Sequence, residues 1–294
     1  MPTPRTARRR PVRRLALALA ALLSVAPASP SLAVAPADGG RWAPADRATI
    51  TPGVQMYTAG GQCTGNFVFT DRRRRVYVGY AAHCAGTGEA TDTDGCRAGS
   101  LPLGTRVRFA RGGSAVTEGT TVGSGRLVYS SWLTMRRLGT DDPDACAYND
   151  FALVRVGPAH VRKVNPSVPF WGGPVGLRRT RPAEGETVHS FGSSSLRGGL
   201  EPLSPKQGLA LSSSGGGWSH LVLTLTPGVP GDSGSGFLDA EGRAVGTLST
   251  LTIAPLAGSN GVGDLHRELA FARRHAGIPG LRLVRGTEEF SPIL

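Results

Sequence analysis

The sequence predicts an all-β fold closed by a single helix, and three observations carry that prediction. Short runs rich in Val, Thr, Tyr and Phe recur along most of the chain, separated by clusters of Gly, Pro, Asp and Ser. The 42 Gly and 22 Pro among 294 residues supply turns throughout. They exclude a coiled coil, yet stay below the roughly 25–30% Gly plus Pro that marks low-complexity disorder. Helical periodicity surfaces only once, near the C-terminus. The length suits one large domain or two small ones.

In chain order, the first element stands apart from the fold. Arg5, Arg8, Arg9, Arg10, Arg13 and Arg14 precede an apolar run over residues 15–26, and no acid occurs before Asp38. This is the layout of a secretory signal peptide, with Ser31-Leu32-Ala33 as a small-x-small site and cleavage after Ala33. The run is shorter than the ~20 apolar residues of a membrane span. The formal charge of +12 comes from 33 Lys plus Arg against 21 Asp plus Glu. Removing residues 1–33 takes away six arginines and no acid, so half of that charge belongs to the export peptide. The remainder describes a basic surface, and no nucleic-acid partner is expected. Residues 34–50 read as a short propeptide or an N-terminal arm.

Strands are expected over 66–70, 76–81, 106–110, 126–129, 151–156, 187–191, 220–226, 236–239 and 244–249. Many short strands between turns indicate a sandwich or barrel. The proline-rich stretch 157–182 reads as a linker between two β-halves. The one helix has Asp264 as N-cap, an apolar face of Leu265, Leu269, Ala272 and Ala276, and Gly277 as its stop. Residues 281–294 carry no clear signal. The domain boundaries follow: 51–165 for the first β-unit, 166–262 for linker and second β-unit, 263–294 for helix and tail.

Export implies an oxidising compartment, so Cys63, Cys84, Cys96 and Cys146 are read as two disulfides. Spacing leaves all three pairings open. No CxxC occurs and no metal site is expected; Glu89, Asp92 and Asp94 miss the spacing of an EF-hand loop. His160, His189, His220, His266 and His275 show no ligand-like spacing and are read as structural or surface residues. Arg72 to Arg75, following Asp71, read as a solvated hairpin turn.

Three stretches carry chemistry. Val78-Gly79-Tyr80-Ala81-Ala82-His83-Cys84 is a strand ending in a histidine, the side chain suited to moving protons near neutral pH. Asn149-Asp150-Phe151-Ala152-Leu153-Val154 puts an acid at the head of an apolar strand, where it can hold an imidazole in one tautomer. Pro230-Gly231-Asp232-Ser233-Gly234-Ser235-Gly236 offers a serine among small residues. An acyl group can approach such a serine, and the main-chain N–H groups of Gly231 and Ser233 can face an oxyanion. The stretch departs from the G-x-S-x-G elbow, because Ser235 stands where the last Gly would be.

In the order His83, Asp150, Ser233, these stretches resemble the chymotrypsin-like (trypsin-like) serine peptidases, and the short Pro-Gly-Asp-Ser-Gly resembles the secreted bacterial branch. The resemblance runs from Cys63 to about Leu265. It implies two antiparallel Greek-key β-barrels of chymotrypsin type with a C-terminal helix, and an endopeptidase that needs no cofactor. It implies Ser233 as nucleophile, His83 as general base and acid, Asp150 as orienting carboxylate, and an oxyanion hole from Gly231 and Ser233. It pairs Cys63 with Cys84, leaving Cys96 with Cys146. Val245-Gly246-Thr247-Leu248-Ser249 resembles the strand whose serine bonds the catalytic acid and begins the substrate-binding segment.

Departures shape the rest. Pro227 stands where trypsin-type enzymes carry the acid of the specificity pocket, so an uncharged P1 side chain is expected over Arg or Lys. Thr250 and Leu251 follow Ser249 where the family keeps a small residue, which narrows the pocket. Leu248 replaces the His of the acid-selective bacterial relatives. No Ile-Val-Gly-Gly start exists to pair with Asp232, so another partner such as an Arg is expected. The expected state is a secreted monomer acting on protein or peptide substrates, with no membrane span after processing. A catalytically silent binding protein and a serine esterase on the same fold are the alternatives.

Overall fold

The computed structural model describes Met1 and residues 40–89, 92–252 and 258–292. Apart from Met1, the expected export peptide lies outside the described residues, as do residues 34–39 of the expected arm.

Seven of the eight strands of the first sheet build its barrel: β1 (Gln55–Thr58), β2 (Gly61–Thr64), β3 (Val68–Thr70), β4 (Val76–Tyr80), β5 (Arg106–Arg111), β6 (Thr120–Ser130) and β7 (Ala152–Val156). They pair antiparallel in the order β3-β4-β7-β6-β5-β1-β2. β2 and β3 are halves of one strand bent at residues 65–67. The Gly65 N–H bonds Val54 O at 2.9 Å on the β1 side, while Asn66 N–H bonds Gly79 O at 2.8 Å on the β4 side. The ends of the strand order therefore join, and the sheet closes into a barrel. Gly65 permits the bend, because a Cβ there would sit 2.8 Å from Val78 Cγ1. Met56, Val78, Val107, Phe109, Leu127 and Val154 are fully buried in its core. Each such side chain stabilises the fold by about 1.5–3 kcal/mol relative to exposure.

The second sheet comprises β8 (Gly176–Leu177), β9 (Thr187–Phe191), β10 (Pro205–Ser214), β11 (Ser219–Thr224), β12 (Gly236–Asp239), β13 (Arg243–Thr252) and β14 (Ser259–Asp264). Its order is β12-β9-β10-β11-β14-β13-β8, and a further β12–β13 pairing closes a six-stranded ring. Counted within its own barrel, each ring runs 1-2-3-6-5-4. The all-β class and the two Greek-key barrels implied by the resemblance are both present. Val188, Phe237, Val262 and their neighbours fill the second core.

The secondary structure differs from the expectation in two respects. The sequence reading finds one helix, whereas the described residues hold three α-helices. The connection from β6 to β7 contains α1 (Ser131–Leu138) and α2 (Pro143–Tyr148). Ser130 caps α1 by accepting the Leu133 N–H, Gly139 ends it at φ 64°, and Asp142 caps α2 ahead of Pro143. Two turns are too short to display a 3.6-residue period. β1, β2, β8, β10 and β14 also lie outside the expected strands. β14 is buried along its whole length, yet its Ser-Asn-Gly-Val-Gly-Asp has little β-propensity. Packing demands its glycines: a Cβ at Gly263 would meet Glu268 Oε1. The stretch 157–182, expected as a linker, lies between β7 and β9 and is packed, with Trp171 fully buried and donating Nε1–H to Ser190 O at 2.7 Å.

The expected helix, α3 (Leu265–His275), follows β14 directly. Asp264 accepts the Arg267 N–H at 2.8 Å, and Leu265, Leu269 and Ala272 are buried. Beyond it, β15 (Arg282–Leu283) pairs antiparallel with β3, which returns the tail to the first barrel. No helix among the described residues is long and apolar enough to cross a membrane.

Candidate active site

His83 sits on a single 3₁₀ turn, Ala82–Ala85, just after β4. Its neighbour Cys84 is bonded to Cys63, and Cys96 is bonded to Cys146, the pairing the resemblance implies. Asp150 lies between α2 and β7 and is 3% exposed. One Asp150 oxygen accepts the His83 backbone N–H at 2.8 Å; the other lies 2.6 Å from His83 Nδ1. Ser249 on β13 donates its hydroxyl to that second oxygen at 2.6 Å.

The electrostatics fix the direction of these bonds. Burial alone would raise the Asp150 pKa, but the His83 charge and the hydrogen bonds from His83 and Ser249 outweigh it, and the net shift is downward. The carboxylate is therefore ionised and accepts only, so His83 carries its proton on Nδ1. Burial lowers the His83 pKa, and the charge and hydrogen bond of Asp150 more than reverse this, so the imidazole is raised above 6.5. Nε2 has no protein partner among the described residues. Behind this pair lies Glu268 of α3, fully buried. Its Oε2 accepts the Thr247 hydroxyl at 2.9 Å, and its Oε1 has no partner among the described residues. Burial pushes its carboxyl well above the usual range; the Thr247 bond and the Asp150 backbone N–H offset part of that, and the charges of Asp150 and Asp264 add to it.

Ser233 lies on the loop before β12, tied to the first barrel where Thr64 N–H donates to Ser233 O at 2.8 Å. Gly231 adopts φ 95°, which favours glycine. Among the described residues neither the Gly231 nor the Ser233 N–H has a protein acceptor. Between them, Asp232 is fully buried and meets two cations, Arg197 Nη1 at 2.6 Å and Lys206 Nζ at 3.2 Å. An Arg was expected there; the second cation was not. Burial pulls the Lys206 pKa down, with Asp232 holding it up in part.

His83, Asp150, Ser233 and Gly231 line one cleft of about 570 Å³. Ser249, Thr250 and Leu251 line it too, joined by Gly228, Leu248 and Asn260. No hydrogen bond joins His83 to Ser233 among the described residues; such bonds often tighten only when substrate binds. Pro227 requires a correction: it is exposed and outside the cleft wall. Its carbonyl is turned to Arg197 Nη2 at 2.9 Å and Lys206 Nζ at 3.3 Å, and Gly228 takes its place in the wall. Gln62, Trp132 and Asn260 also reach the cleft without having been singled out in the sequence, because only through-space packing brings them there.

Three clusters of metal-type side chains occur among the described residues. Two of them contain disulfide sulfurs, and the third, Glu186, Asp239 and Glu241, is taken up by Arg178 and Arg243. The turn after Asp71 is likewise internally paired, with Arg75 Nε at 2.6 Å from the Asp71 carboxylate.

No family model and no curated protein matches the chain. Solved structures similar to it include Thermobifida fusca protease A, at 18% identity over 81% of this chain and 99% of that one, TM-score 0.48. A Nocardiopsis protease is 19% identical over 80% and 98%, TM-score 0.46. A Cellulomonas bogoriensis chymotrypsin is 18% identical over 80% and 98%, TM-score 0.46. At this level of identity and superposition, nothing of their activity transfers to the chain.

Proposed function

We propose that the chain is an exported serine endopeptidase in which Ser233, His83 and Asp150 form an acyl-transfer triad. The observation that carries this reading is the double engagement of His83 by Asp150, through Nδ1 and the backbone N–H, in the cleft that also holds Ser233. A merely structural histidine does not need both its ring and its backbone N–H held by one buried, ionised carboxylate at the wall of a cleft.

The chemistry follows from the positions. Ser233 Oγ bonds the substrate carbonyl carbon as its proton passes to His83 Nε2, and Asp150 stabilises the imidazolium. The two unpartnered N–H groups, of Gly231 and Ser233, receive the oxyanion, each donor lowering the barrier by about 3–4 kcal/mol. Collapse breaks the C–N bond, and the proton on His83 goes to the leaving amine. Water then repeats the sequence and releases Ser233.

The second-barrel wall formed by Gly228, Val229, Leu248, Ser249, Thr250, Leu251 and Asn260 carries no formal charge, which supports an uncharged P1 side chain. Export is supported by the layout of residues 1–33 and fits the two disulfides. The test is digestion of a denatured protein by processed chain, with cleavage sites mapped by mass spectrometry. Cuts after uncharged residues, absent in Ser233→Ala, are expected. Strict cutting after Arg or Lys contradicts the pocket reading, and ester turnover without peptide cleavage assigns an esterase instead.

A further inference from the structure

The two N–H groups proposed to hold the oxyanion can face the cleft only if their peptide units are turned that way. In a trans peptide the carbonyl and the N–H point in opposite directions, so fixing one fixes the other. The Pro230–Gly231 bond is trans; among the described residues the cis bond is Gly173–Pro174. The carbonyl partnered with the Ser233 N–H is that of Asp232, and it is held locally by the Ser235 N–H at 2.9 Å. The carbonyl partnered with the Gly231 N–H is that of Pro230. It has a different anchor: the hydroxyl of Ser194, which donates to Pro230 O at 2.6 Å.

Ser194 is built into this position from every side. It is 2% exposed. Its hydroxyl, while donating to Pro230, accepts the Leu196 N–H at 3.1 Å, so its single O–H is committed to Pro230 O. Its own N–H donates to Asp232 Oδ1 at 3.1 Å. That is the oxygen taken by Arg197, three residues further along the same loop. The next carbonyl, Gly231 O, is gripped as well, by Thr64 Oγ1 at 2.8 Å and Gln62 Nε2 at 3.0 Å. A flip of the Pro230–Gly231 peptide would break the Ser194 bond and leave a buried hydroxyl without its acceptor.

We propose that Ser194 is a positioning residue for the oxyanion site: its hydroxyl holds the Pro230 carbonyl away from the cleft, keeping the Gly231 N–H turned toward the reacting carbonyl. The Asp232–Arg197 pair holds the loop that carries Ser194, so the charge cluster beside the nucleophile is coupled to this hydroxyl. The proposal rests on Ser233 being the nucleophile.

The experiment compares wild type, Ser194→Ala, Ser194→Thr and Ser194→Cys, with kcat expressed per active site titrated by an acylating burst reagent. Loss of a whole oxyanion donor costs on the order of 10²–10³ in kcat. Misdirecting one is expected to cost S194A about 10- to 100-fold in kcat, with KM nearly unchanged. A peptide aldehyde, whose adduct places an oxygen in the oxyanion site, is expected to lose affinity by the same factor. S194T, which keeps the hydroxyl, restores most of the rate. If S194A does not fold, S194C carries the test: its weaker S–H donor is expected to give an intermediate kcat per site. A purely structural role would change melting temperature and the titrated fraction but leave kcat per site intact, and that result overturns the proposal. A wild-type protein with no titratable serine overturns the serine-peptidase reading and this one together. Wild-type turnover with full kcat in S194A, or in S194C where S194A does not fold, overturns the Ser194 role alone.

Discussion

Ser249 Oγ and His83 Nδ1 converge on the same oxygen of Asp150, each at 2.6 Å. The second barrel thus supplies a donor to the carboxylate of the first. A carboxylate pinned from both sides cannot rotate, and the imidazole it holds keeps one orientation. Ser249→Ala removes one charge-assisted bond of a buried group, a change of about 1–3 kcal/mol. The expected outcome is a roughly tenfold fall in kcat/KM with a lowered melting temperature, read by steady-state kinetics and thermal unfolding.

The raised pKa of His83 sets the pH dependence. The base must be neutral to accept the Ser233 proton, so activity rises with pH through the folded-state pKa, which lies above 6.5. The acid limb of kcat/KM is therefore expected to have its midpoint above 6.5. Asp150→Asn is expected to move that midpoint down, because the largest raising influence is gone. It should also lower kcat on the order of 10⁴-fold, the loss found when the carboxylate of a Ser-His-Asp triad is amidated. The same raised pKa contributes stability that is complete below the unfolded-state value near 6.5 and lost as pH climbs through the folded value.

Gly231 accepts no side chain. Its φ of 95° is strained for any other residue, and a Cβ there would meet Gln62 Oε1 and sit 3.0 Å from Ser194 Oγ. Gly231→Ala is expected to cost about 10²–10³ in kcat with KM little changed, measured per titrated site.

Glu268 predicts a stability effect of opposite slope to an ordinary surface carboxylate. Its folded pKa is raised, so the native state keeps a proton that the unfolded chain releases above about 4.5. Stability therefore falls as pH rises from that value toward the folded pKa. Glu268→Gln, neutral and of the same shape, is expected to remove this decline. Melting temperatures of the two proteins should converge near pH 4 and separate at neutral pH, with the variant higher.

The Cys96–Cys146 bond spans 50 residues and ties the loop after His83 to the segment just before Asp150. Chain-entropy arguments give such a closure about 4 kcal/mol. The double variant Cys96→Ala, Cys146→Ala should lose stability of that order in denaturant titration.

Much of the fold and of the candidate site was legible because the signals are local. His83 ends a Val-Tyr-rich strand, Asp150 heads an apolar one, and Ser233 lies between glycines, so each could be singled out from a window of about seven residues. The illegible parts are those set by distance in space. Asp232 needed a cation, but nothing in the Ser-Ser-Ser-Leu-Arg run distinguishes Arg197, and Lys206 stands in a weakly β-forming stretch that becomes β10. Ser194 and Gln62 act on main-chain carbonyls more than thirty residues away. Pro227 misled because its position relative to Ser233 was matched, while its carbonyl, not its ring, is what the structure uses. The glycines of β14 lower its β-propensity for the same reason that they are needed, since neighbouring side chains occupy the space of a Cβ.

The most direct measurement is mass spectrometry of the processed, disulfide-intact protein after reaction with a fluorophosphonate. One adduct per chain, mapped to Ser233 and abolished by His83→Ala while the variant stays folded, is the predicted result. No adduct on the folded wild-type protein, or an adduct on another residue, would contradict the assignment of Ser233 as the nucleophile.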